Sequence, residues 1–183
     1  MKPVFEAAQQ VQDFFDDQRW QFCFIGGIAL QRWGIPRLTN DADLTLLTGF
    51  GSEEGFVKTI VERFPSRIAD PVDFARQARV VLVEIGNVGI DISLGALGFE
   101  QDAVTRSTLW KLSDQFCLRT CSAEDLIVFK AFADRLQDWA DIENIISVQE
   151  DLDWVYINEQ LFPLAELKDA PQIMEKLGRL RKQ

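Results

Sequence analysis

The chain has 183 residues, of which 47% are hydrophobic and 26% charged, a composition that suits one soluble domain or a core with a helical appendage and excludes a disordered or fibrous protein. It contains no histidine, which excludes Ser-His-Asp and Cys-His nucleophile systems, zincin-type His pairs and a His general base, and leaves carboxylates, lysine, arginine or bound metal for any catalysis. The formal net charge of −10 is uneven, +3 from Lys168 onward and −13 before it, so the acidic body disfavours unspecific capture of nucleic acid and the basic tail offers at most a local contact.

In chain order, residues 3–18 carry Val4, Ala7, Ala8, Val11, Phe14 and Phe15 at helical spacing. Glu6, Asp13 and Asp16 interrupt that segment, unlike the apolar stretch of a signal peptide, and no apolar run in the chain approaches a membrane span. Phe22–Ile25 reads as a short strand, Gly26-Gly27 as a break, and Ile28–Trp33 as the start of a helix closed by Gly34-Ile35-Pro36. Residues 41–47 alternate as a strand, 52–64 fit a capped helix, and 80–85 with 88–94 form a hairpin around Gly86-Asn87. Two short strands are expected at 108–112 and 116–120. Beyond them the period becomes helical: a helix after Ser122, two more over 139–149 and 153–168, and a basic helix or frayed tail over 171–183. The expected class is α+β, a small mixed sheet flanked by helices over 1–121 and a helical region over 122–183. Cys23, Cys117 and Cys121 are odd in number and lack CxxC spacing, which favours core thiols in a reducing cytosol over a disulfide framework.

Asp41 and Asp43 lie two apart in a strand, so their carboxylates share one face and repel unless a cation joins them. A solvated turn is the other reading of such a pair. Asp91, in the apolar strand around Ile90 and Ile92, is a third carboxylate from a neighbouring strand, the number that a two-metal site for in-line attack on phosphorus requires. Gly26-Gly27, between strand and helix, is either an ordinary tight turn or a bare-backbone cradle for an anion. Lys130 falls on the buried stripe of its helix and either snorkels to Asp134 or reaches an anion. Asp125 reads most simply as a first-turn acid, and the scattered tryptophans as packing residues.

Gly26-Gly27-Ile28-Ala29-Leu30, Arg37-x-Thr39-x-Asp41-x-Asp43, the strand around Asp91 and Asp125-x-x-x-x-Lys130 resemble, in order and spacing, the signature of the nucleotidyltransferase superfamily, the polymerase-beta-like fold. The wording is most similar to its AbiEii/MenT-type branch. The resemblance implies that Gly26, Gly27 and Lys130 contact a nucleoside triphosphate such as ATP, and Arg37 and Thr39 are candidates either for nucleotide-phosphate contacts or for support of the residues that make them. It also implies that Asp41, Asp43 and Asp91 are catalytic ligands of two Mg2+ ions, with Asp91 nearest to a base. Arg135, Asp138 and Asp141 echo the last motif of that branch, although Gln137 stands where a lysine is frequent.

The implied reaction is transfer of a nucleoside monophosphate to an acceptor hydroxyl with release of pyrophosphate, in a cytoplasmic protein, with a toxin-antitoxin partnership and a cognate antitoxin in view. The acidic body favours a small-molecule or protein acceptor, with tRNA left open. The competing expectation is a catalytically degenerate interaction protein that keeps the fold, and a metal-dependent phosphate-ester hydrolase is a third.

Overall fold

The structure, a computed structural model, describes residues 2–181, so that Met1 and the last two residues of the basic tail, Lys182 and Gln183, lie outside the described residues. It is an α+β arrangement that divides into two compact units, one of residues up to Ile28 with Leu38–Cys121, the other of Ala29–Arg37 with Ser122 onward.

The first unit holds α1 (Lys2–Asp17), β1 (Phe22–Phe24), the start of α2 (Gly26–Trp33), β2 (Asp41–Leu47), α3 (Glu53–Arg63), α4 (Pro71–Ala78), β3 (Val80–Ile85), β4 (Val88–Gly95), α5 (Gly98–Arg106), β5 (Thr108–Lys111) and β6 (Cys117–Thr120). The six strands form one mixed sheet in the order β3-β4-β2-β1-β6-β5. β3/β4, β1/β2 and β5/β6 pair antiparallel, while β2/β4 and β1/β6 pair parallel.

Strand alternation separates two faces. Ala42, Leu44 and Leu46 of β2, Ile90, Ile92 and Leu94 of β4, and Val81 and Val83 of β3 are buried and form one apolar face. The apolar stripe of α1, with Val4, Ala8, Val11 and Phe15, belongs to the same hydrophobic cluster. The opposite face of β2 and β4 carries Asp41, Asp43 and Asp91, and further along it Thr45 meets Glu100 of α5. The apolar packing on one side thus fixes which way the carboxylates point.

Two helices, α4 and α5, occupy stretches to which the hydrophobic periodicity assigns no element. For α4 the signal was present: Asp70 accepts the backbone N–H of Asp73, and Pro71 sits at the first helical position. In α5 a weakly periodic segment is anchored by Glu100, whose carboxylate accepts the N–H groups of Ala96 and Leu97 at 2.8 and 2.9 Å.

Because β1 meets β6 only at Phe24 and Thr120, Cys117 C=O and Arg119 N–H find their partners on α1 instead. The buried Gln12 amide donates to Cys117 C=O at 2.7 Å and accepts from Arg119 N–H at 2.8 Å, in the place of a missing strand.

The second unit is a group of helices around α6 (Ala123–Ala133), with α7 (Leu136–Val148), α8 (Trp154–Leu167) and α9 (Gln172–Leu180). Leu126, Ile127, Val128 and Ala131 make α6 apolar almost all round, as befits a central helix contacted by the other three. Asp134 adopts a left-handed conformation (φ 58°) at the end of α6, which turns the chain so that α7 begins at Leu136, three residues before the periodicity indicates. The basic tail is helical over α9. No helix among the described residues is long and apolar enough to cross a membrane.

The Gln12 clamp gives a direct stability test. Gln12→Leu keeps the bulk but takes the partner from the part-buried Cys117 C=O and Arg119 N–H, so the unfolding free energy should fall by about 1–3 kcal/mol in all, measured by urea denaturation.

Candidate active site

β2 and β4 lie side by side in parallel register, with Asp43 opposite Asp91 and Asp41 opposite Gly89. All four positions therefore share one face. Thr39 Oγ1 donates to Asp41 Oδ1 at 3.1 Å. The Arg67 guanidinium binds the Asp91 carboxylate.

Gly26 ends the β1 side of the site in a left-handed conformation (φ 53°), and Ile25 N–H bonds Asp43 C=O at 2.9 Å, which ties this turn to β2. A Cβ on Gly26 would collide with the Asp43 carboxylate, and one on Gly27 with the Thr39 hydroxyl. Side-chain-free backbone is thus a steric requirement of the site, and the tightness that forbids a Cβ presses the glycine turn against Asp43 and Thr39. Six of the expected residues, Gly26, Gly27, Thr39, Asp41, Asp43 and Asp91, are gathered in this way within the first unit.

A donor set of carboxylate and hydroxyl oxygens suits a hard divalent cation such as Mg2+, and the register sets two carboxylates directly opposite each other with a third two residues along. As the side chains stand, no three acidic, His or Cys groups among the described residues converge on one point. The carboxylate and hydroxyl donors fit the ion in chemistry and register.

The other two expected residues, Arg37 and Lys130, belong to the second unit. There they share one acceptor. The Arg37 guanidinium forks onto Asp141 with two bonds of 2.9 Å. Lys130, 4% exposed, donates to Asp141 at 2.7 Å and to Asp138 at 3.2 Å, and Arg135 closes the chain on Asp138 at 2.6 Å. Lys130 does not pair with Asp134, which instead accepts from Trp139 Nε1 and Lys176. The left-handed turn takes Asp134 off the buried stripe, and α7 brings Asp138 and Asp141 to the ammonium. Asp125 is fully buried and completes a cap with Ser122 while accepting the Tyr156 hydroxyl at 2.6 Å.

A family model described as "Nucleotidyl transferase AbiEii toxin, Type IV TA system" matches residues 11–162, most of the chain. The chain belongs to the AbiEii nucleotidyl transferase family.

Its fold is likewise that of nucleotidyltransferases. An antigenic nucleotidyltransferase-like protein from Paracoccidioides brasiliensis superimposes with a TM-score of 0.55 at 12% identity, over 96% of this chain and 92% of that one. The antibiotic-resistance factor ANT(2'')-Ia gives 0.51 at 19% identity over 99% and 90% of the two chains. The lincosamide antibiotic adenylyltransferase LnuA gives 0.52 at 12% identity over 76% and 94%. No curated protein sequence matches.

Within this AbiEii chain, Arg67 and Gly89 belong to the aspartate face and went unnoticed in the sequence. Arg67 lies in a connection without a motif, and only strand pairing brings it across; an isolated glycine in strand β4 was the one available sign of a close approach.

Burial by itself pushes the Asp141 carboxyl up, but the bonds from Arg37 and Lys130 outweigh it and hold the group below the usual carboxylate range. The folded protein therefore binds this proton more weakly than the unfolded chain. Asp141 contributes stability at pH values above its unfolded pKa of about 3.9, and that contribution is lost as pH falls through the lower folded value. Arg37→Ala removes the foremost of the lowering interactions, so acid unfolding followed by circular dichroism should begin at a higher pH than in the wild type.

Proposed function

We propose that the chain is a Mg2+-dependent nucleotidyltransferase that moves a nucleoside monophosphate from an NTP to an acceptor hydroxyl. The observation that carries this reading is the pairing of Asp43 opposite Asp91, with Asp41 beside them, on one face next to a glycine turn that tolerates no Cβ. Gly26 and Gly27 offer bare backbone to the triphosphate, and Thr39 orients Asp41. A divalent metal bound by Asp41, Asp43 and Asp91 would neutralise phosphate charge and acidify the attacking hydroxyl. Asp91 takes the acceptor side, where it receives the hydroxyl proton directly or through water. The acceptor oxygen bonds to the α-phosphorus, the bond from that phosphorus to the bridging oxygen breaks, and pyrophosphate leaves. Positioning and charge complementarity carry most of the acceleration. Arg37 and Lys130 keep their proposed link to nucleotide phosphate, and through Asp141 a change in either cation affects the other.

The family description supports the toxin of a toxin-antitoxin pair with a cognate antitoxin as partner, and we propose that it acts in the cytoplasm. The −13 carried by residues 1–167 favours a small-molecule or protein acceptor over tRNA. A small-molecule acceptor also accords with LnuA, by name an adenylyltransferase for lincosamide antibiotics.

Incubation of the protein with each α-labelled NTP, Mg2+ and a cell lysate should move label to an acceptor and release pyrophosphate. Asp41→Asn and Asp91→Asn should each lower transfer by at least about 100-fold without lowering the melting temperature. Unchanged turnover in either variant would overturn the reading. Release of inorganic phosphate in place of pyrophosphate would identify a hydrolase, and thermal indifference to all four NTPs with Mg2+ would identify an interaction protein.

A further inference from the structure

The segment after α3 runs along the outer edge of β3. Ser66 bridges Val83, Glu84 N–H bonds Pro65 C=O at 2.9 Å, and Arg67 N–H bonds Leu82 C=O at 2.9 Å. This pairing fixes parity. Ser66 shares the apolar face with Val83, so Arg67 emerges on the other face, in one row with Leu82, Asp91 and Asp43. Two strand spacings, about 9–10 Å of backbone separation, lie between Arg67 and Asp91, and the arginine side chain spans them to pair with the carboxylate. It does so over Gly89, where an added Cβ would stand 2.9 Å from Arg67 Nη1. Gly89 is therefore the berth for the guanidinium, directly opposite Asp41 on one side and Glu84 on the other.

We infer that Arg67 is a tethered cation that competes with divalent metal for Asp91. This rests on the proposed metal-dependent reading of the aspartate face. A carboxylate engaged by a guanidinium is less available to an ion it would share with Asp43, and ligation through the paired oxygen requires that ion pair to open. In the metal-free protein the same pair offsets part of the repulsion among the three carboxylates. Both partners are about one-third exposed, with side-chain accessibilities of 33% for Arg67 and 37% for Asp91. The competition is accordingly modest, worth about two- to fivefold in metal affinity. Arg67 is a positioning residue, since it acts through Asp91.

The test is Mn2+ binding to the full chain without nucleotide, followed through the electron paramagnetic resonance signal of free Mn2+. Arg67→Gln removes the competing charge, and Gly89→Ala keeps the charge but fills its berth. Both variants should bind Mn2+ about two- to fivefold more tightly than the wild type, and the gain from Arg67→Gln should vanish when Asp91→Asn is added. If both variants bind Mn2+ as the wild type does, or more weakly, while Asp41→Asn abolishes binding, the competition is refuted and the metal-dependent reading stands. If the wild type shows no Asp41-dependent Mn2+ binding, with or without nucleotide, the metal-dependent reading fails, and the inference with it.

Discussion

Carboxylates on neighbouring parallel strands repel one another, and the first unit is organised around holding three of them on one sheet face. The apolar half of β2 and β4 is committed to the core, so the aspartates cannot turn inward. Their companions on the outer face are small or compensating. Thr39 donates to Asp41, Arg67 pairs with Asp91, and the glycine turn at Gly26 presses against Asp43 without a side chain. Removing Thr39 or Arg67 would leave the carboxylates with one compensating group fewer. The site is thus a charge problem with partial answers built in, and a divalent cation is the chemical species that would complete them.

The second unit meets a similar problem with a different solution. Arg37, Asp141, Lys130, Asp138 and Arg135 form a chain of alternating charge whose middle members are buried. Each buried charge has an opposite partner, which is the condition under which burial of charge is tolerable. Such a chain restrains its members mutually: Asp141 orients both Arg37 and Lys130, and Asp138 ties α7 back to α6. The low affinity of Asp141 for its proton is the thermodynamic expression of that ordering.

Much of this was legible in the residues. The Asp-x-Asp strand, the double glycine, the buried position of Lys130 and the family resemblance all follow from local pattern, because alternation and helical spacing are encoded over a few residues. Less legible were α4, whose Asp70-Pro71 start carried a signal, and α5, whose periodicity is weak and whose anchor is Glu100. The partners of Lys130 were also hidden. Asp134, four residues on, was the local choice, whereas the left-handed turn at that residue hands the ammonium to Asp138 and Asp141.

The sequence by itself determined the chemistry available: no imidazole, three strand aspartates with hard oxygen donors, and glycines where backbone has to come close. Only the tertiary structure decided the register that sets Asp43 opposite Asp91, the edge pairing that sends Arg67 across two strands to reach it, and the sharing of Asp141 by Arg37 and Lys130. The physical reason is range. Side-chain chemistry and alternation are properties of neighbouring residues, whereas strand register and charge pairing are settled by packing between segments distant in the chain.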